Sequence, residues 1–181
     1  MGNILIQHYH TPVGELILGS FDNQLCLADW RYRKMRTAID DRIQSNLNAV
    51  YAEGDSDVLN ETRTQLEAYF AGTLRDFDLP LLLAGTEFQQ RVWQALRKVP
   101  YGQTSTYLAL SEQLGNRDAI RAVASANGAN AISIIVPCHR IIGSNGELVG
   151  YAGGVPAKKK LLELEGVKAV TQNAAQTALE F

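Results

Sequence analysis

The first thirty residues alternate short apolar runs with turn formers. Ile4-Leu5-Ile6, Leu16-Ile17-Leu18 and Leu25-Cys26-Leu27 are separated by Thr11-Pro12-Val13-Gly14 and by Asp22-Asn23. Short apolar runs bounded by Pro, Gly and Asn predict a small antiparallel sheet. Residues 31–57 are polar and predict a helix and a loop. From Val58 to Ala71 the spacing becomes helical, with Leu59, Leu66, Tyr69 and Phe70 apolar and Gly72 as the stop. Leu79-Pro80-Leu81 reads as extended, because a residue before proline avoids the helical region. Ala84-Gly85 then divides the chain into residues 1–84 and 85–168.

The second half opens with Thr86-Glu87-Phe88-Gln89, a capping box ahead of a helix carrying Phe88, Val92, Leu96 and Val99. Pro100 ends it and Tyr101-Gly102-Gln103 turns the chain. Ser105 is the expected cap of a helix carrying Tyr107, Leu108, Leu110 and Leu114. Asn116-Arg117 leads to a second helix, from Asp118 to about Asn127. Two short helices on a Gly-containing turn look like a helix-turn-helix, though the pattern alone fits ordinary helix packing better. Ile132 to Val136 reads as a β-type run ending at Pro137-Cys138-His139-Arg140. Ile141-Ile142 and Leu148-Val149 flank a Gly143–Gly146 turn, which predicts a hairpin. Tyr151-Ala152-Gly153-Gly154 is a loop. Pro156 opens a last helix with Leu161, Leu162 and Leu164 inward and Gly166 as its cap. Residues 169–181, small and polar, predict a flexible tail.

Composition narrows the class. At 181 residues, 46% hydrophobic and 20% charged, the chain suits a folded protein of one or two domains. No apolar run approaches the ~20 residues of a membrane span, and the first residues lack a signal-peptide pattern. Two distant cysteines, Cys26 and Cys138, argue against a secreted disulfide framework and suit a cytoplasmic setting. Within Leu25-Cys26-Leu27, Cys26 reads as a small buried hydrophobe. The net charge is −2, but residues 1–85 carry seven Lys or Arg against twelve acids, and residues 86–168 carry ten against six. That asymmetry suits a DNA-facing second half with an acidic companion.

Cys138 and His139 are the residues best able to carry chemistry. A histidine near a cysteine can take its proton and leave a thiolate nucleophile, and Arg140 adds charge that favours the anion. On a regular strand the two side chains would point apart, so contact needs a bend, which Pro137 can make. His8 and His10 lack further ligands nearby, so no metal site is expected.

Ser133-Ile134-Ile135-Val136-Pro137-Cys138-His139-Arg140 resembles the signature of the O6-alkylguanine-DNA alkyltransferases, or methylated-DNA–protein-cysteine methyltransferases. The resemblance runs through about residues 86–166. It includes Pro100-Tyr101-Gly102-Gln103, Tyr107, Ala119-Ile120-Arg121-Ala122-Val123, Asn130, Tyr151-Ala152-Gly153-Gly154 and Leu164-Glu165-Gly166. The first half matches less sharply, but Thr11-Pro12-Val13-Gly14 is similar to that family's opening β-hairpin.

The resemblance implies an α+β fold: an N-terminal ribonuclease-H-like α/β subdomain and a mostly helical C-terminal domain with a helix-turn-helix. It implies DNA repair by irreversible, single-turnover transfer of an alkyl group from O6-alkylguanine, and O4-alkylthymine, to Cys138. His139 would be the base, acting through a water, and Glu165 its orienter. Tyr107 would donate a proton to the leaving base, and Asn130 would fix the turn before the active-site segment. Arg121 would enter the space left by the extruded base. Ala122, Ala124 and Ser125 would let the helix lie in the minor groove, with Tyr151 and Gly153 around the base. Ala152 stands where some relatives have a serine. Some relatives hold a structural zinc in the first half, but this chain lacks the ligand set. The implied partner is double-stranded alkylated DNA, met by a monomer without cofactor or membrane. Read from the residues alone, Tyr107 is also a core aromatic, Glu165 a solvated helix residue, and Lys158, Lys159 and Lys160 either phosphate contacts or a solvated face. A lesion-binding protein without transfer, a helix-turn-helix regulator and a cysteine hydrolase are the competing readings. Cys138 between Pro137 and His139 counts against the first.

Overall fold

The computed structural model describes residues 1–167 and the two-residue strand Thr171–Gln172; the remainder of the expected tail, residues 169–181, lies outside the described residues. Three expected strands form: β1 (Gly2–Thr11), β2 (Gly14–Phe21) and β3 (Gln24–Trp30). They make an antiparallel meander. The β1–β2 turn is tied by Thr11, whose Oγ1 donates to Gly14 O at 2.6 Å and accepts from Val13 N at 3.1 Å. The polar stretch that follows holds α1 (Arg36–Leu47) and an unexpected strand, β4 (Ala49–Glu53). β4 runs parallel to β1, completing a sheet of order β3-β2-β1-β4.

Side chains alternate across the sheet. Leu16 and Leu18 join the core shared with α2 (Asp57–Phe70), while Ile17 between them meets Ile39 and Ile43 of α1. Ser56 caps α2, accepting from Leu59 N at 3.2 Å. Its buried face is Val58, Leu59, Thr62, Gln65, Leu66 and Tyr69. The Leu79–Leu81 segment lies against β3, with Leu25 N donating to Pro80 O and Leu82 N to Leu25 O.

The second half begins with α3 (Glu87–Leu96), opened by the expected capping box of Thr86 and Gln89. After β5 (Ser105–Thr106) comes α4 (Tyr107–Gln113); its cap is Thr106 and not Ser105, since Thr106 Oγ1 accepts from Ala109 N. A single 3-10 turn, Arg117–Ala119, capped by Asn116, leads into α5 (Ile120–Gly128). α5 packs on α3, and Trp93 Nε1 donates to Ala126 O at 2.8 Å.

The run Ile132–Val136 is not a strand. It is a tight turn, with Ile134 at φ +72°. Its composition is apolar because it is buried on every side, not because it pairs in a ladder. One end is stitched to β3: Ala28 N donates to Ala131 O at 2.9 Å and Ser133 N to Ala28 O at 2.7 Å. The expected hairpin also differs. β6 (Ile141–Ile142) pairs with β5, and β7 (Glu147–Leu148) pairs with β8 (Thr171–Gln172), although Gly143 N still donates to Glu147 O. The last helix, α6 (Val155–Leu164), has Pro156 in its first turn. A single core cluster reaches from Leu16 and Leu25 through Val92 and Trp93 to Cys138.

Candidate active site

Cys138 opens a 3-10 turn, Cys138–Arg140, directly after Pro137. The bend expected at Pro137 is present, and Cys138 N donates back to Val136 O at 2.8 Å. The turn is organised by Asn130. Its Nδ2 donates to Val136 O at 2.9 Å and Cys138 Sγ at 3.2 Å, and its Oδ1 accepts from Ile132 N at 3.0 Å. Asn130 is itself held from the first half. Arg33, in the loop after β3, donates to Asn130 O at 3.3 Å and to Gly128 O at 2.7 Å. Those carbonyls lie at and beyond the C-terminus of α5, where a cation is favoured. Arg33 is paired with buried Asp29 at 3.0 Å, and Arg36 reaches the same carboxylate at 3.1 Å.

His139 is fully buried, with Nε2 2.8 Å from Glu165 Oε2. Glu165, just past α6, also accepts from Arg140 Nε at 2.8 Å and Arg140 Nη2 at 3.1 Å. Burial alone would raise the Glu165 carboxyl, but the hydrogen bond from His139 and the hydrogen bonds and charge of Arg140 outweigh it and hold it at about 2. Glu165 is therefore a carboxylate, which can only accept. The proton between the two groups must sit on His139 Nε2, leaving Nδ1 with its lone pair. Nδ1 is buried and finds no hydrogen-bond partner among the described residues. Burial depresses the imidazole, so His139 is a neutral base near pH 7. Burial raises the Cys138 thiol, partly opposed by the Asn130 hydrogen bond and the charges of Lys158 and Arg33. The resting group is a thiol that needs a base.

Several expectations change. Arg140 does not act on the sulfur: it clamps Glu165, with its Nη1 on Val99 O at 2.7 Å. Lys158 neither touches solvent nor is free to meet a phosphate. It is fully buried on the inner face of α6, donating to Ile141 O at 2.5 Å and Val149 O at 3.0 Å, and burial lowers it to about 8. Lys159 and Lys160 remain at the surface, Lys159 4.0 Å from Glu163.

The other expected residues fall in two places. Tyr107, the first residue of α4, has a buried hydroxyl, and the phenol is raised by burial and by nearby Cys138, with Asn127 opposing. Tyr151 is buried and meets Trp30 edge-on at 5.8 Å. Gly153 lies so close that a Cβ there would stand 2.6 Å from the Trp30 ring. Between Tyr151, Ala152, Gly150, Asn127, Gly128, Asn130 and Cys138 is a cavity of about 10 Å³, room for one water at most. Arg121, Ala122 and Ser125 are exposed on one face of α5, with Ala124 half-buried beside them. Arg121 has no ion pair among the described residues. Among those residues no group of three or more His, Cys, Asp or Glu is placed to hold a metal. The residues missed from sequence are Tyr69, Lys158 and the Asp29–Arg33 pair. Tyr69 donates to Glu165 Oε2 at 2.6 Å from α2. Nothing local distinguishes it from its apolar neighbours Leu66 and Phe70.

A buried thiol, a neutral imidazole with one free nitrogen and a locked carboxylate define a cysteine-dependent group-transfer protein of two-part α+β build. Comparison makes this particular. Residues 4–83 match the family model for the ribonuclease-like domain of 6-O-methylguanine DNA methyltransferase, and residues 87–167 match its DNA-binding domain. The first half, less sharp as a resemblance in the sequence, is matched along its length. A methylated-DNA–protein-cysteine methyltransferase of Mycobacterium leprae is 46% identical over 89% of this chain and 92% of its own. One of Methanosarcina acetivorans is 42% identical over 87% and 96%. The crystal structure of Mycobacterium tuberculosis O6-methylguanine methyltransferase superposes with TM-score 0.76 at 40% identity, covering 92% of this chain and 94% of that one. Mycobacterium tuberculosis OGT in complex with DNA gives TM-score 0.75 at 40% identity, covering 90% and 92%. This chain belongs to the 6-O-methylguanine DNA methyltransferase family.

Proposed function

We propose that this protein repairs alkylated DNA by taking the alkyl group of O6-alkylguanine, and of O4-alkylthymine, onto Cys138. The observation that carries the reading is the chain Glu165–His139, whose buried Nδ1 finds no partner among the described residues, next in sequence to the buried Cys138 thiol. Sγ attacks the alkyl carbon in line with the O6–carbon bond. A carbon–sulfur bond forms, the carbon–oxygen bond breaks, and the thiol proton passes to His139 Nδ1. No direct hydrogen bond joins Sγ to Nδ1, so the transfer runs through one bridging water. The Tyr107 hydroxyl donates its proton to the departing base, which then leaves neutral, and the phenolate regains a proton through solvent as His139 gives up the one it took from Cys138. The product thioether is a poor leaving group, so each molecule acts once.

A guanine inside a duplex cannot present O6 to a buried sulfur, so the base is rotated out. In this reading α4 and α5 form a helix-turn-helix that meets the minor groove through Ala122, Ala124 and Ser125, and Arg121 fills the vacated stack. Residues 1–84 support and residues 85–168 bind and react. The cavity of about 10 Å³ is far too small for a base, so the loop around Tyr151 and Gly153 must part from the end of α5 on binding. The protein works as a cytoplasmic monomer without a cofactor.

The test is direct. Incubation with a duplex carrying one O6-methylguanine should add one methyl mass to the Cys138 peptide, in one-to-one stoichiometry, and Cys138→Ala should transfer nothing. Full repair with Cys138 unmodified would sink the reading, and multiple turnover on an ester would point to a hydrolase.

A further inference from the structure

Glu165 Oε2 receives three donors. His139 Nε2 is at 2.8 Å and Arg140 Nη2 at 3.1 Å, but the shortest contact is the Tyr69 hydroxyl at 2.6 Å. Tyr69 is fully buried, held edge-on by Phe70 and Tyr101 and tilted against Phe77. Its hydroxyl therefore has one direction in which to point. Burial, then the charge and hydrogen bond of Glu165, raise the phenol well above its ordinary value. It is a donor at every pH at which the protein works.

We propose that Tyr69 is a positioning residue for the alkyl transfer, a further member of the Glu165–His139 relay supplied by the N-terminal half. It fixes Glu165 Oε2 and sets how strongly His139 takes the Cys138 proton. The proposal rests on the reading of Cys138 as alkyl acceptor. A carboxylate oxygen bonded to three donors has its charge dispersed among them. It holds the Nε2 proton without drawing it across, and it stabilises an imidazolium less than a freer carboxylate would. Removing the phenol leaves the charge to His139 and Arg140 alone. His139 then becomes more basic and stays protonated to higher pH, while Glu165 loses one of its fixings. The other groups facing the pair are Arg140 from the same turn, Lys158 from α6, Cys138, Tyr101 ahead of β5 and Tyr151 of the pocket loop. All of them remain in Tyr69→Phe.

Tyr69→Phe keeps the ring and deletes the hydroxyl. Single-turnover transfer from O6-methylguanine duplex should fall about tenfold on the plateau, the worth of one hydrogen bond to a charged group. The acid side of the pH–rate profile should reach half-height at a higher pH than in the unmodified protein. The imidazole nitrogen resonances of His139, followed by NMR in the free protein, should titrate at a correspondingly higher pH. Packing alone would lower the unfolding midpoint and leave both titrations in place, and that result overturns the proposal. Should Tyr69→Phe fail to fold, 3,5-difluorotyrosine at position 69 keeps the shape and strengthens the donor; both titrations should then move to lower pH, and unmoved titrations overturn the proposal. If the unmodified protein methylates nothing at Cys138, the reading of the site fails, while the His139 titration still decides the role of Tyr69.

Discussion

Cys138 is a thiol held back. Its raised value comes from burial first, and the three groups that oppose burial, Asn130, Lys158 and Arg33, do not cancel it. A raised thiol pKa means that the thiolate fraction at a given pH is smaller than that of a free cysteine, whose value is ~8.5. Iodoacetamide should therefore label Cys138 slowly in the DNA-free protein at pH 8, and labelling should keep rising as pH passes the ordinary cysteine value. A rate that levels off below pH 8 would mean that a thiolate is already present at rest. In the proposed reaction His139 supplies the base, because burial depresses the imidazole and leaves it neutral and able to accept. Asn130 was legible as a turn former from its type and place. That its amide reaches Sγ itself, at 3.2 Å, was not, because the turn of seven residues between them must first fold back on it.

The elements nearest the chemistry are irregular, and that is where reading the sequence fell short. The capping box at Thr86, the α2 period and the β1–β3 meander follow local rules, and all appear as read. β4 was missed because only its non-local pairing with Gly2–Ile6 makes Ala49–Glu53 a strand. Ile132–Val136 reads as a strand in sequence because five mostly apolar residues look the same whether they pair or are simply enclosed. Ile134 at φ +72° shows the cost: a β-branched residue in the left-handed region stores on the order of 1–3 kcal/mol. Asn130 and the Ala28 bonds hold it there. The loop at Tyr151–Gly154 is supported from behind by Trp30. Gly153→Ala would place a Cβ 2.6 Å from that ring, so the loop must shift. The variant should fold with a melting temperature close to that of the parent, and lose most of its transfer rate. Full activity with the Trp30–Tyr151 contact intact would contradict this account of the loop.

Across the whole molecule, the two halves share one core and one site. Arg33 joins Asp29 to the carbonyls of Gly128 and Asn130, and Tyr69 joins α2 to Glu165. Arg33→Met would strip two carbonyls of their donor and leave Asp29 with Arg36 and the Ser133 hydroxyl. Breaking a buried pair from one side costs ~3 kcal/mol. Urea unfolding should show a lower midpoint with unchanged slope, and transfer should slow because Asn130 loses its anchor. An unchanged midpoint would mean that Arg36 suffices. The division of charge between the halves was visible in composition; these cross-links were not, since partners nearly a hundred residues apart leave no mark on local spacing.

The masking of the Cys138 thiol has a bearing on storage. A molecule consumed by its first reaction has no second chance, so every stray encounter with a peroxide or a small electrophile removes a unit from the cell's stock. Those encounters favour exposed thiolates. Cys138 is protonated, 5% exposed and beside a cavity barely large enough for water. The stock should keep, and be drawn down by lesions and not by time.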